Sequence, residues 1–177
     1  YYGLQASSSS TFNKNKIHDS TYFGLRLESS STAYGNEFYN LAVGGGTNAA
    51  IDISGTGSVF RNNYIYNVGA GIRINGGTVE KNVITNPPDN ITSWGIYMSY
   101  SGTVFRYNNI GGFSTNVAVS GNVPTFSNNN FTGTLDVSSQ KNINISNGGW
   151  GNFGGDSYQS SQVVVGMQNN YWGNVPA

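Results

Sequence analysis

The chain has 177 residues, enough for one domain with a sizeable core, and its eight basic and eight acidic side chains cancel, which excludes the basic surface that nucleic acids and anionic membranes require. It contains no cysteine and a single histidine, so disulfides, thiolate zinc sites, a cysteine nucleophile and a His-rich metal centre are all ruled out. Aromatic residues make up 14% of it, too many for a disordered chain, and no apolar run approaches the ~20 residues of a membrane-spanning helix.

The N-terminal stretch Tyr1-Tyr2-Gly3-Leu4-Gln5-Ala6 and the four serines after it offer no amphipathic cap helix. A preceding domain or a neighbouring chain is therefore expected to cover that end, with 1–177 forming one domain cut from a longer polypeptide. From Phe12 onward a two-part repeat sets in. Its first part is an apolar residue, an Asn three positions later, and a large apolar residue two after that. It reads Phe12, Asn15, Ile17; Ala33, Asn36, Phe38; Phe60, Asn63, Ile65; Val79, Asn82, Ile84; Phe105, Asn108, Ile110; Phe126, Asn129, Phe131; and Met167, Asn170, Trp172. The Asn spacings are 21, 27, 19, 26, 21 and 41, the last equal to two periods.

The second part, an apolar–any–apolar triplet, follows each corner. It reads Leu25-Arg26-Leu27, Ile51-Asp52-Ile53, Ile72-Arg73-Ile74, Ile96-Tyr97-Met98, Val117-Ala118-Val119, Leu135-Asp136-Val137 and Val163-Val164-Val165. Each triplet is a short strand with two side chains inward and one outward. No helical periodicity competes with it. Short strands at a ~20-residue period, joined by turns rich in Gly, Asn and Ser, predict an all-β parallel solenoid of about eight coils, ~35–40 Å long at a coil spacing of ~4.8 Å. The Asn suits a left-handed corner, and its amide would bond to the Asn above and below as an internal ladder of Asn15, Asn36, Asn63, Asn82, Asn108, Asn129 and Asn170.

Two stretches are expected to loop out of the coil, about 86–94 with Pro87-Pro88, and about 141–162 with Trp150, Phe153 and Tyr158.

Two outward columns are candidate polysaccharide or glycan contacts. One contains Arg26, Asp52, Arg73 and Tyr97, and the other His18, Tyr39, Tyr66 and Thr85. Trp150 is a further candidate. The plainer reading of these columns is charge pairing and ordinary β-surface aromatics, and Lys16 with Glu37, and Arg61, Glu80 and Arg106, read as structural pairs.

The Asn-x-[Ile/Phe/Trp] corners with their following strands resemble the right-handed parallel β-helix repeats of the pectate-lyase-like superfamily over roughly residues 12–174. Asn169-Asn170-Tyr171-Trp172-Gly173 resembles the NNYWG segment near the end of such domains in large secreted bacterial proteins. The resemblance implies a secreted or cell-surface location and leaves activity open, since the superfamily holds lyases and hydrolases as well as tailspikes and adhesins. A stalk or adhesin without catalysis of its own is the expected role. The alternative is a polysaccharide lyase or other carbohydrate-active enzyme whose site is completed by coils outside the chain.

Catalytic constellations find little support in the residues. A glycosidase needs two carboxylates across the scissile bond, but Asp52 and Asp136 are four coils apart, roughly 19 Å. A calcium-dependent lyase needs clustered acids, and Arg26 and Arg73 flank Asp52 alone, so no metal or cofactor is expected and calcium has no evident cage. A triad would require His18 with Asp19, and neighbours on a strand point to opposite faces. The sequons at Asn90, Asn130 and Asn144 carry little weight in so Asn-rich a chain.

Overall fold

The computed structural model describes residues 3–41, 49–87, 94–98, 102–113, 115–120, 125–132, 141–146, 152–153 and 167–168. The first coil consists of β1 (Leu4–Ala6), β2 (Thr11–Asn13) and β3 (Lys16–Ser20), and the second of β4 (Leu25–Leu27), β5 (Thr32–Tyr34) and β6 (Glu37–Leu41). The third has β7 (Ile51–Ile53), β8 (Val59–Arg61) and β9 (Tyr64–Val68), and the fourth β10 (Ile72–Ile74), β11 (Gly77–Glu80) and β12 (Val83–Thr85). The fifth has β13 (Ile96–Met98), β14 (Thr103–Arg106) and β15 (Asn109–Gly111), and the sixth β16 (Thr115–Ser120), β17 (Thr125–Ser127) and β18 (Asn130–Thr132). Three further strands follow, β19 (Lys141–Ser146), β20 (Asn152–Phe153) and β21 (Met167–Gln168).

Every third strand is hydrogen-bonded to the last, which generates three parallel sheets. Sheet A contains β1, β4, β7, β10, β13, β16, β19 and β20; sheet B runs from β2 to β21; sheet C runs from β3 to β18. The chain is a parallel β-solenoid, as the repeat predicts. Sheet C has six strands, so among the described residues six coils carry all three sheets, fewer than the eight expected.

The triplets form sheet A as read, in register Leu25↔Ile51↔Ile72↔Ile96↔Val117. Two strands differ from expectation. Leu4-Gln5-Ala6 forms β1 and pairs with β4, a triplet hidden because Ala6 is a weak apolar signal. The seventh sheet A strand is β19, with Ile143-Asn144-Ile145 opposite Val117-Ala118-Val119, so the segment expected to loop from 141 begins inside the sheet. It then meets β20 antiparallel, ending the parallel run of that sheet. Leu135-Asp136-Val137, Val163-Val164-Val165, residues 88–93 of the expected 86–94 loop and the Asn169–Gly173 segment lie outside the described residues.

The interior is an axial stack of apolar columns. Leu25, Ile51, Ile72 and Ile96, together with Phe38, Ile65, Ile84 and Ile110, are fully buried, and Phe60, Val79 and Phe105 line the third side. Each such side chain contributes about 1.5–3 kcal/mol by leaving water. The chain enters sheet A through small residues, Gly24, Ala50, Gly71 and Gly95, because successive coils touch there. A Cβ on Gly71 would sit 1.9 Å from the Gly95 carbonyl oxygen.

The Asn ladder exists over Asn15, Asn36, Asn63, Asn82, Asn108 and Asn129. In each step the Oδ1 of one Asn accepts both the backbone N–H and the Nδ2 of the Asn one coil earlier, at 2.9–3.2 Å. The second Nδ2 hydrogen reaches a sheet B carbonyl of the earlier coil, as from Asn82 to Phe60 (3.0 Å) and from Asn108 to Val79 (3.0 Å). Asn170 lies outside the described residues.

The left-handed corner falls on a different residue from the one expected. The positive φ belongs to the position just before each ladder Asn: Lys14 (52°), Gly35 (65°), Asn62 (53°), Lys81 (56°), Tyr107 (57°) and Asn128 (54°). The kink there aims the next residue inward, where its amide bonds replace those of the interrupted ladder of strands.

Candidate functional site

Sheet A places Arg26, Asp52, Arg73 and Tyr97 in one outward column, in register as read. Their chemistry is an ion-pair chain. Arg73 grips Asp52 as a fork, Nε to Oδ1 at 3.0 Å and an NH2 to Oδ2 at 2.8 Å. Arg26 lies 3.7 Å from the same carboxylate and 2.6 Å from Glu28, whose other oxygen accepts from Gln5 (2.8 Å). Asp52 is 1% exposed, so the strip presents guanidinium and phenol groups to solvent with the carboxylate beneath them. The Arg73 guanidinium also lies 5.1 Å over Phe23, and Tyr97 packs against Trp94 at 5.6 Å. Gln5 is the first member of the column, opposite Arg26, and is hidden with its triplet, whereas Glu28, Phe23 and Trp94 lie outside the column and reach it only through the fold.

Sheet C holds the second column. The register His18↔Tyr39↔Tyr66 lays the rings face to face, with centroids 4.7 Å and then 5.2 Å apart and planes 9° and 14° apart. Tyr64, two residues before Tyr66, joins at 4.7 Å and 26°. The inner faces of these rings are therefore occupied by one another. Tyr64 belongs to the neighbouring outward column Lys16, Glu37, Tyr64, Val83, Asn109 and Asn130, whose register runs the length of sheet C. The same period-2 alternation that singled out Tyr39 and Tyr66 would have found it.

Polar groups flank the rings. Glu37 bonds Lys16 at 2.9 Å and accepts from the Tyr66 hydroxyl at 3.0 Å. The Lys16 bond, then that of Tyr66, holds the Glu37 carboxyl below its ordinary pKa, and Lys16 is raised in return. The Tyr66 phenol is pushed up by desolvation and then by Glu37. Asp19, Asn40 and Asn67 form a short outer ladder, Asn40 Nδ2 to Asp19 Oδ1 at 3.0 Å and Asn67 Nδ2 to Asn40 Oδ1 at 2.6 Å.

His18 and Asp19 do meet, Nδ1 to Oδ2 at 2.7 Å, against the expectation that strand neighbours diverge. Asp19 has φ 58°, which breaks the strand alternation and swings its side chain to the histidine's side. That bond, followed by the one from Asn40, lowers the Asp19 pKa.

On sheet B, Arg106 pairs with Glu80 at 2.8 Å, while Arg61 lies 5.7 Å over the Tyr34 ring. Every described carboxylate thus has a cationic or imidazole partner: Asp19 with His18, Glu28 with Arg26, Glu37 with Lys16, Asp52 with Arg73 and Glu80 with Arg106. Among the described residues no three His, Cys, Asp or Glu side chains converge to hold a metal ion. Trp150 lies outside the described residues. Compared with known proteins, the chain matches no family model, no curated protein and no solved structure.

Proposed function

We propose that this chain is a non-catalytic module of a secreted or cell-surface protein, a stalk or adhesin of the pectate-lyase-like β-helix type that contacts polysaccharide along its side. The observation that carries this reading is the fate of the acids. A general acid needs a carboxyl whose pKa is raised, and a general base needs one that can reach substrate. The five described carboxylates are instead engaged in ion pairs and cross-coil bonds. Asp19 and Glu37 have lowered pKa values, the wrong direction for an acid catalyst. The axial Asn ladder and continuous core suit a stiff spacer, and the half-exposed Tyr64 ring beside the outward amides of sheet C suits an apolar sugar face and its hydroxyls.

A glycan-array scan with and without calcium, paired with an absorbance assay for unsaturated uronate product on polygalacturonate and alginate, tests this. Glycan binding that is unchanged by calcium, with no product formed, is the expected result. Release of unsaturated product would make the chain a lyase. Absence of binding to every glycan would leave the stalk role alone.

A further inference from the structure

The ring stack on sheet C has an end. Tyr66 stacks with Tyr39 of the second coil and with Tyr64 of its own strand, and none of the described rings continues the stack onto the fourth coil. There the register replaces aromatics by small residues: Tyr64 is followed by Val83 and then Asn109, and Tyr66 by Thr85 and then Gly111. The surface steps down by the height of a tyrosine just where the stack stops.

The step is apolar and open. Tyr64 is 44% exposed, Val83 38% and Tyr107 51%, three of the four large apolar residues exposed among the described residues, and they fall on three consecutive coils. Tyr107 sits at the corner two residues before Asn109, held there in the left-handed region. Asn109 Oδ1 accepts from Asn130 Nδ2 at 3.2 Å, and its own Nδ2 has no partner among the described residues. An exposed ring face, a low apolar floor and an unengaged amide donor form a platform for a flat ligand with one apolar face and hydroxyls at its rim.

We infer that Tyr64, Val83, Thr85, Tyr107 and Asn109 form a shelf that seats one pyranose of an uncharged polysaccharide, its apolar face on Tyr64 and a hydroxyl on Asn109. This deepens the proposed polysaccharide contact and rests on it. It places the sugar beyond the stacked rings of Tyr39 and Tyr66, whose faces are already covered. Uncharged sugar is favoured because none of the five residues is ionic. Arg106, next in sequence to Tyr107, is held by Glu80 at 2.8 Å, which leaves Lys81, the counterpart of Tyr107 one coil earlier, as a single cation near the shelf, too little to select a polyanion.

Affinity electrophoresis through gels containing xylan, galactomannan or mixed-linkage β-glucan, with polygalacturonate as the acidic comparison, tests the shelf. Retardation of the wild-type chain by at least one neutral polymer is expected, with about tenfold or greater weakening in Tyr64→Ala and Val83→Glu. Tyr22→Ala, in the exposed turn between β3 and β4 and outside both columns, should bind as wild type. Far-UV circular dichroism checks that each variant is folded, and both shelf positions are solvent-exposed. Wild-type-like retardation of both shelf variants, or retardation by polygalacturonate alone, would overturn the shelf while leaving polysaccharide contact standing. Retardation of the wild type by no polymer would remove the polysaccharide reading itself, and the shelf with it.

Discussion

Asn82 Oδ1 accepts two hydrogen bonds from Asn63, one from its backbone N–H at 2.9 Å and one from its Nδ2 at 3.1 Å. The same two-point contact repeats from coil to coil, so an interior ladder Asn is at once donor to the next coil and acceptor for the previous one. Asn63 itself accepts both bonds from Asn36 and donates to the Ala33 carbonyl at 3.2 Å.

Position along the ladder should therefore set the cost of losing an amide. Asn63→Leu strands the N–H and Nδ2 of Asn36 in the interior and should cost roughly 2–6 kcal/mol. Asn15→Leu removes donors from the first rung, where the residue is only half-buried and its Oδ1 receives no ladder bond, and should cost clearly less. Chemical denaturation of the two variants measures the gap, and equal losses would refute the directional ladder.

Apart from Gly35, the corners before the described ladder Asn residues hold non-glycine residues in a conformation that costs an L-residue about 1–2 kcal/mol. Lys81, at φ 56° and exposed, should tolerate glycine. Lys81→Gly should leave stability equal or raise it by up to about 1 kcal/mol, since relief of the strain exceeds glycine's added chain entropy. A lower melting temperature would show that the Lys81 side chain contributes more than its backbone strain costs.

Sheet A begins where coils are closest. Gly71→Ala places a methyl 1.9 Å from the Gly95 carbonyl oxygen, a contact that only backbone movement can relieve. A loss of about 1–3 kcal/mol or more is expected. Unchanged thermal stability would mean that the two coils can separate there without cost.

Acid should weaken the sheet C edge. Asp19 and Glu37 both have lowered pKa values in the fold, so their contribution is complete above the unfolded carboxylate value of about 4 and is lost as pH falls through the folded values. The melting temperature should fall on acidification through that window. Asp19→Asn should flatten part of the fall. A variant as acid-sensitive as the wild type would place the dependence on other carboxylates.

The inward columns were legible in the chain because period-2 alternation and a ~20-residue repeat are local properties. The ladder Asn at 36, 63, 82, 108 and 129 could be read before any coordinate, and so could the Arg26–Asp52–Arg73 register. The left-handed residue was misplaced by one position. Sequence marks which residue recurs, whereas the backbone turn is carried by a neighbour as varied as Lys14, Asn62 and Tyr107. The His18–Asp19 contact was missed for the same reason, since a single positive φ reverses the side on which a side chain emerges.

The amino-acid sequence alone determined the solenoid class, its buried Ile, Leu and Phe columns, and the amide ladder, because each follows from residue type at a repeating interval. Only the tertiary structure decided what the outer surface presents. The repeat puts Tyr39 with Tyr66 and Arg26, Asp52 and Arg73 in shared columns, but which ring stacks on which, how Tyr64 joins from its own strand, and that Asp52 lies beneath two arginines depend on how the side chains pack across coils, which residue spacing does not specify.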